Sequence, residues 1–183
     1  MTDLPNLPDM YRIVVGVDPS GTAGDDSTDK ANDIGIVIAG LGIDNIAYVL
    51  GDWTCNLSPN GWGRRVVEAY SRFTADRIVA ERNFGGAMVE HVIRTVDPNA
   101  PVRLVTASRG KVARAEPVAA LYEQGKVKHA AYMPLLEDEM CSMTTEGFVG
   151  GGSPNRVDAL VWAINDLMLN RVFVRPLETG LPR

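Results

Sequence analysis

The sequence is poor in the residues from which disulfides and transition-metal sites are built. Its 183 residues include only two cysteines and two histidines. Cys55 and Cys141 lack the Cys-x-x-Cys spacing of a zinc site, so we expect two buried, reduced thiols. His91 and His129 have no partners at ligand spacing, and neither is assigned a role. These features favour a reducing, cytoplasmic setting.

Membrane-spanning and secretory signals are also lacking. No apolar run reaches the roughly 20 residues that cross a bilayer. The N-terminal "MTDLPNLPD" has neither a basic start nor an apolar stretch, so it is not a secretory signal, and residues 1–10 are predicted to be a linker or tail. The chain length is sufficient for one domain with a sizeable core.

Positive charge is not in excess. The 18 Lys and Arg residues and 23 Asp and Glu residues give a net charge of −5. Proteins that grip DNA or RNA unaided usually carry a basic face, so this composition argues against a simple nucleic-acid-binding module. It does not exclude an enzyme to which nucleic acid is delivered.

The sequence does contain a regular series of strands and helices. Three strands joined by short turns predict an antiparallel meander, over residues 11–17, 33–42 and 45–55. Helical and extended patterns then alternate, with helices at 58–75, 85–96 and 111–125 and strands at 76–82, 101–107 and within 126–132. Two further helices follow at 135–143 and 153–169, the last with Ser153 as its N-cap and Pro154 at its first position.

This order predicts an α/β fold. Three antiparallel strands followed by parallel strands, reached through helical crossovers, give a mixed sheet with helices on both faces. That is the layout of the ribonuclease H-like fold.

Three carboxylates lie at the ends of apolar elements. Asp18 closes the first strand in "YRIVVGVD", and Glu81 closes the fourth in "RIVAE". Asp158 flanks the apolar stripe of the final helix, which is expected to pack across the same end of the sheet. The first and fourth strands are neighbours in this fold, so Asp18 and Glu81 would lie together. The final helix would bring Asp158 to the same place.

Converging acids repel each other unless they bind a cation. Oxygen ligands select hard ions, so Mg²⁺ or Mn²⁺ is predicted, and two ions about 4 Å apart can drive phosphodiester cleavage. Each acid also has an alternative role: Asp18 in a turn, Glu81 paired with Arg82 or Arg77, and Asp158 at the positive end of the helix dipole.

Two further groups of side chains accompany the three acids. Asp33 opens the second strand and is a possible additional carboxylate near the metals. In "SRGKVARAE", Arg109, Lys111 and Arg114 follow the fifth strand and are predicted to contact DNA phosphates. The alternative for this loop is a solvated helix start, with Arg114 near Glu116.

Four segments resemble the C-terminal nuclease domain of bacteriophage large terminases. They are "VVGVDPSGT", "DRIVAERNFGGAMVEHVIR", "VTASRGKVARAEPVAALYEQGKV" and "SPNRVDALVWAINDL", within about residues 12–170. The resemblance implies a ribonuclease H-like endonuclease with two metal ions, which cuts concatemeric phage DNA during genome packaging. It implies catalytic and metal-binding roles for Asp18, Glu81 and Asp158. Family members often carry another aspartate after the last one, where this chain has Ala159.

The resemblance also implies partners. These are double-stranded DNA, a terminase ATPase domain, the small terminase subunit and the portal, in the host bacterial cytoplasm. The chain has no Gly-x-x-x-x-Gly-Lys-Ser/Thr phosphate loop, so we expect the nuclease domain alone, at residues 11–170, followed by a tail at 171–183.

Two other protein classes share features with this sequence. A nucleotide-binding module of the actin and sugar-kinase type also has a strand, an aspartate and a turn such as "DPSGT", but it needs a second similar half. A Holliday-junction resolvase has the same fold, but such enzymes are usually basic, unlike this chain. A non-catalytic scaffold is a third alternative, which loss of metal binding would indicate.

Overall fold

A six-stranded mixed sheet forms the centre of the protein in the computed structural model, which describes residues 7–19, 33–82, 86–108 and 110–170. Its strands are β1 (Met10–Asp18), β2 (Gly35–Gly42), β3 (Ala47–Asp52), β4 (Arg77–Glu81), β5 (Val102–Val105) and β6 (Val127–His129). Their order across the sheet is β5-β4-β1-β2-β3-β6.

The strand pairing confirms the predicted mixed sheet. β1, β2 and β3 form an antiparallel meander. β4 is parallel to β1, β5 is parallel to β4, and β6 is parallel to β3 on the opposite side. The C-terminal ends of β1, β4 and β5 consequently lie at one edge of the sheet, together with the start of β2.

Helices cover both faces of the sheet, also as predicted. One face packs against α1 (Pro59–Arg72) and α2 (Gly86–Val96), and the other against α3 (Lys111–Glu123), α4 (Pro134–Cys141) and α5 (Asn155–Ile164). A π-helical turn, Asn165–Leu169, continues α5. None of the helices in the described part of the chain is long and apolar enough to cross a membrane.

Helix α5 packs directly on the backbone of β1 and β2. A Cβ atom on Gly16 would lie 2.2 Å from the carbonyl oxygen of Ala159, and one on Gly35 would lie 2.0 Å from that of Asn155. Only glycine therefore fits at these two positions, and the contact fixes the first turns of α5 against the middle of the sheet.

Some local expectations were wrong. Helix α5 begins at Asn155 with Pro154 at the N-cap position, so Ser153 does not cap it. The predicted helix at 135–143 ends at Cys141, and a short hairpin of β7 (Met143–Thr144) and β8 (Gly147–Phe148) follows. Both cysteines are free as expected, but neither is fully buried: Cys55 is half-buried and Cys141 is exposed.

Candidate active site

Two carboxylates end neighbouring parallel strands. Asp18 is the last residue of β1 and Glu81 the last residue of β4. Because the register pairs Gly16 with Val79 and Val17 with Ala80, Asp18 and Glu81 follow as the next pair in line. Alternate residues of a strand share a face, so both carboxylates project to the side that Gly16 presents to α5.

Asp158 comes to this edge from the first turn of α5, and Arg114 of α3 bridges it to Glu81. Arg114 Nη1 lies 3.3 Å from Glu81 Oε1, and Nη2 lies 3.4 Å from Asp158 Oδ1. The guanidinium lies over the Trp162 ring, 4.6 Å from its centre, and Trp162 Nε1 donates a hydrogen bond to Glu81 Oε2 at 3.2 Å. The carboxylates of Glu81 and Asp158 therefore both pair with the guanidinium of Arg114.

Lys111 approaches the same cluster from the first turn of α3. Its Nζ donates hydrogen bonds to Asp158 Oδ2 at 2.5 Å and to Ser153 Oγ at 2.8 Å. The sequence predicts that Lys111 and Arg114 contact DNA phosphates. In the structure, both side chains contact carboxylates of the site. Arg114 pairs with Glu81 and Asp158, so the alternative of a solvated helix start beside Glu116 is wrong for this residue. Arg109 lies outside the described residues.

Burial makes the carboxylates of this edge electrostatically costly. Asp18 is 1% exposed and Asp158 is 4% exposed. Burial raises the pKa of Asp158, and the hydrogen bond and positive charge of Lys111, with that of Arg114, partly oppose the rise. Since a buried carboxylate needs a compensating cation, the site is suited to positive charge.

The donor chemistry at this edge fits a hard divalent cation, because carboxylate oxygens are the ligands that Mg²⁺ and Mn²⁺ prefer. In the conformation described for residues 7–19, 33–82, 86–108 and 110–170, no three acidic, histidine or cysteine side chains are clustered closely enough to hold a metal ion. Glu81 and Asp158 are instead neutralised by Arg114 and Lys111.

Asp33 belongs to a neighbouring ionic cluster around Arg156. Arg156 lies 3.0 Å from Asp52, 3.4 Å from Asp33 and 3.6 Å from Glu139. Glu139 Oε1 also accepts a hydrogen bond from the backbone N–H of Val157 at 2.9 Å. This cluster fastens the start of α5 to β3, to α4 and to the segment just before β2, and so positions Asp158.

Sequence reasoning missed the roles of Ser153, Arg156 and Trp162. Trp162 follows Asp158 by four residues, a spacing that places two side chains on one face of a helix. The sequence alone could therefore have predicted that Trp162 lies near Asp158. Arg156 and Ser153 act through residues that are distant in the sequence, and no local pattern indicates those contacts.

The mixed sheet, with carboxylates at the ends of β1 and β4 and a third on the helix across them, defines the ribonuclease H-like class of α/β proteins. Residues 15–167 match the family described as the terminase RNaseH-like domain, and the chain belongs to that family. As a phage terminase nuclease domain, it is a DNA endonuclease.

Solved structures agree with this fold. The large terminase nuclease from thermophilic phage G20c is 16% identical with a TM-score of 0.62, covering 87% of this chain and 91% of that one. The HK97 bacteriophage large terminase is 11% identical with a TM-score of 0.62, and the match covers 87% of this chain and 40% of that one. The yeast mitochondrial Holliday junction resolvase Ydc2 is 13% identical with a TM-score of 0.51, covering 90% and 82% of the two chains. A comparison with curated proteins finds no match.

Proposed function

We propose that this terminase nuclease domain cuts concatemeric phage DNA during genome packaging, by hydrolysis that depends on two Mg²⁺ or Mn²⁺ ions. The observation that carries the proposal is the convergence of Glu81 and Asp158 on Arg114, at the sheet edge where Asp18 ends the adjacent strand. Solved structures of the G20c nuclease with bound cobalt and with bound zinc support a divalent metal.

In this proposal, the carboxylates of Asp18, Glu81 and Asp158 hold the ions. When bound, such ions activate a water molecule and stabilise the leaving oxygen of the phosphodiester. Strand ends are stiff, so Asp18 and Glu81 keep their oxygens in place, and the ionic cluster at Arg156 does the same for α5 and its Asp158. Lys111 is 41% exposed, and from this position its Nζ can turn to a phosphate oxygen of the substrate.

The proposed partners follow from the same assignment. The domain acts on double-stranded DNA and works beside the terminase ATPase domain, the small terminase subunit and the portal, in the host bacterial cytoplasm. Arg109 and Lys111 position the DNA backbone without reading bases. Family membership favours this function over the resolvase and nucleotide-binding alternatives.

A plasmid-nicking assay with Mn²⁺ tests the catalytic assignment. Wild type should nick the plasmid, and Asp18→Asn should lower the rate by orders of magnitude, because the amide is nearly isosteric but lacks the charge that the metals need. Asp138→Asn, at an exposed carboxylate of α4, is the matched control and should cut normally. Melting curves recorded without metal should show that Asp18→Asn remains folded. Undiminished nicking by this variant would falsify the assignment.

A further inference from the structure

A groove of about 510 Å³ runs along β5, the edge strand of the sheet, between α3 and the end of α5. Polar side chains contribute much of its lining, among them Arg103, Thr106, Ser108, Arg114 and Asn165. Ligand pockets in proteins are commonly about 300–1,000 Å³, so the groove is large enough for a small polar ligand or part of a polymer.

The groove is continuous with the candidate active site. Arg114 and Trp162 line it, and both side chains also contact the Glu81 carboxylate. A polymer whose backbone lies at Glu81 could therefore extend into the groove along β5.

The far end of the groove has a surplus of positive charge. Arg103 Nη1 lies 2.5 Å from Asp166 Oδ1, and Arg77 Nη1 lies 3.8 Å from the same oxygen. Two guanidiniums thus share one buried carboxylate, and the Arg103 side chain remains 44% exposed. A guanidinium has five N–H donors, so Arg103 retains donors for an anion.

The strand register sets the distance between this charge and the carboxylates. Val79 pairs with Arg103 and Glu81 pairs with Val105, so Arg103 lies two residues from the level of Glu81, on the same face of the sheet. Two residues correspond to about 7 Å along a strand. Each strand of B-DNA advances about 3.4 Å along the helix axis per phosphate, so this distance spans at most about two nucleotides.

We propose that this groove binds one strand of the DNA substrate beside the cut. Arg103 holds a backbone phosphate within about two nucleotides of the scissile bond. Thr106, Ser108 and Asn165 provide hydrogen-bonding groups for the intervening nucleotides. The proposal rests on the proposed function. It assigns substrate-binding roles to Arg103 of β5, to two residues that follow this strand, and to Asn165 of the π-helical turn after α5.

Filling the groove tests the proposal without removing a polar group. Ala113 is half-buried and lines the groove, whereas Ala120 lies exposed on the same helix. Ala113→Phe should weaken binding of a fluorescein-labelled duplex about tenfold by anisotropy in metal-free, low-salt buffer, and Ala120→Phe should not. In the nicking assay, Ala113→Phe should raise KM by a similar factor and leave kcat within about twofold, because only binding is lost.

A second variant tests the phosphate contact. Arg103→Gln should reduce the slope of log Kd against log salt by about 0.9, the value for one phosphate on duplex DNA. Arg103→Lys should keep the wild-type slope. Arg77 still faces Asp166 in both variants, and melting curves check that they fold.

The outcomes separate this proposal from the proposed function. If wild type does not cut but Ala113→Phe still weakens duplex binding, the groove assignment stands and the nuclease assignment is overturned. If wild type cuts and Ala113→Phe matches Ala120→Phe in Kd and KM, the groove assignment is overturned. It is also overturned if Ala113→Phe lowers the melting temperature with DNA affinity unchanged, because this position would then matter for stability and not for DNA binding.

Discussion

At the scale of single residues, the first turn of α5 is surrounded by carboxylates that are costly to bury. Asp158 and Glu139 both have a raised pKa, and burial is the main cause in each case. Each also meets a guanidinium, Arg114 for Asp158 and Arg156 for Glu139. These pairs lower the cost of burial, and the raised pKa of each carboxyl group shows that they do not remove it.

Glu139→Gln tests this balance through the pH dependence of stability. The pKa of Glu139 in the folded protein lies above its ordinary value of 4.5, so the folded state binds more protons than the unfolded state between the two values. Wild-type stability therefore falls as pH rises through this window. Glutamine keeps an oxygen acceptor for the N–H of Val157 and does not ionise. Its melting temperature should match wild type at about pH 4 and exceed it at pH values above 4.5, by an amount that grows until Glu139 is ionised in the folded protein.

Thermal melts across this pH range provide the measurement, with Asp138→Asn, at the exposed neighbouring carboxylate, as the control. A Gln variant that melts below wild type at neutral pH would contradict the prediction. In that case the attraction of Arg156 would outweigh the burial of Glu139.

At the scale of elements, α5 occupies the position on which the site depends. It touches β1 and β2 through Gly16 and Gly35, and the ionic cluster of Arg156 holds its first turn. The helix consequently cannot shift along the sheet without losing either the backbone contact or the ion pairs. Asp158 lies in the first turn of this helix, so its position is fixed by the same contacts.

Gly35→Ala should displace the start of α5. The added methyl group would meet the Asn155 carbonyl at 2.0 Å, a backbone atom that cannot rotate away. Overpacking of this kind costs roughly 1–3 kcal/mol, and we expect that loss in the free energy of unfolding measured with urea. Gly151→Ala, where a Cβ would meet nothing within 4 Å, is the control. Equal stability of the two variants would show that α5 tolerates displacement.

The elements were largely predictable from the sequence, because periodicity is a local property. The start of α5 was not: Ser153-Pro154 has the local pattern of a helix start, but α5 begins at Asn155, whose Nδ2 donates a hydrogen bond to the carbonyl of Asp33. The role of Arg114 was also unpredictable, because its partners Glu81 and Asp158 lie 33 and 44 residues away in the chain. The ends of the predicted strands indicated where Asp18 and Glu81 lie. Only the tertiary structure shows that Arg114 and Lys111 are the cationic side chains that pair with the acids of the site.

At the scale of the whole molecule, the acids of the site belong to a chain whose net charge is −5. Asp18 and Asp158 are nearly inaccessible to solvent, so water screens them poorly. A divalent cation bound at this edge would offset charge that the fold otherwise tolerates at a cost in stability.

Mn²⁺ should therefore raise the melting temperature. A ligand that binds only the native state stabilises it by about 2.7 kcal/mol at a hundredfold excess over its Kd. For a chain of this size, that corresponds to a shift of roughly 5–10 °C. Differential scanning fluorimetry with and without millimolar Mn²⁺ measures the shift, and Asp18→Asn should reduce it. A wild-type curve that Mn²⁺ leaves unmoved would rule out a metal site formed by these carboxylates.

The position of α5 as the last α-helix in the described part of the chain has a consequence for biosynthesis. A polypeptide still on the ribosome presents Asp18 and Glu81 before Asp158 has been made, and the sheet face that α5 will cover is still bare. Because domains fold as units, the same helix completes both the hydrophobic core and the set of acids. An unfinished chain therefore lacks both the helix that covers this face of the sheet and the last of the three acids.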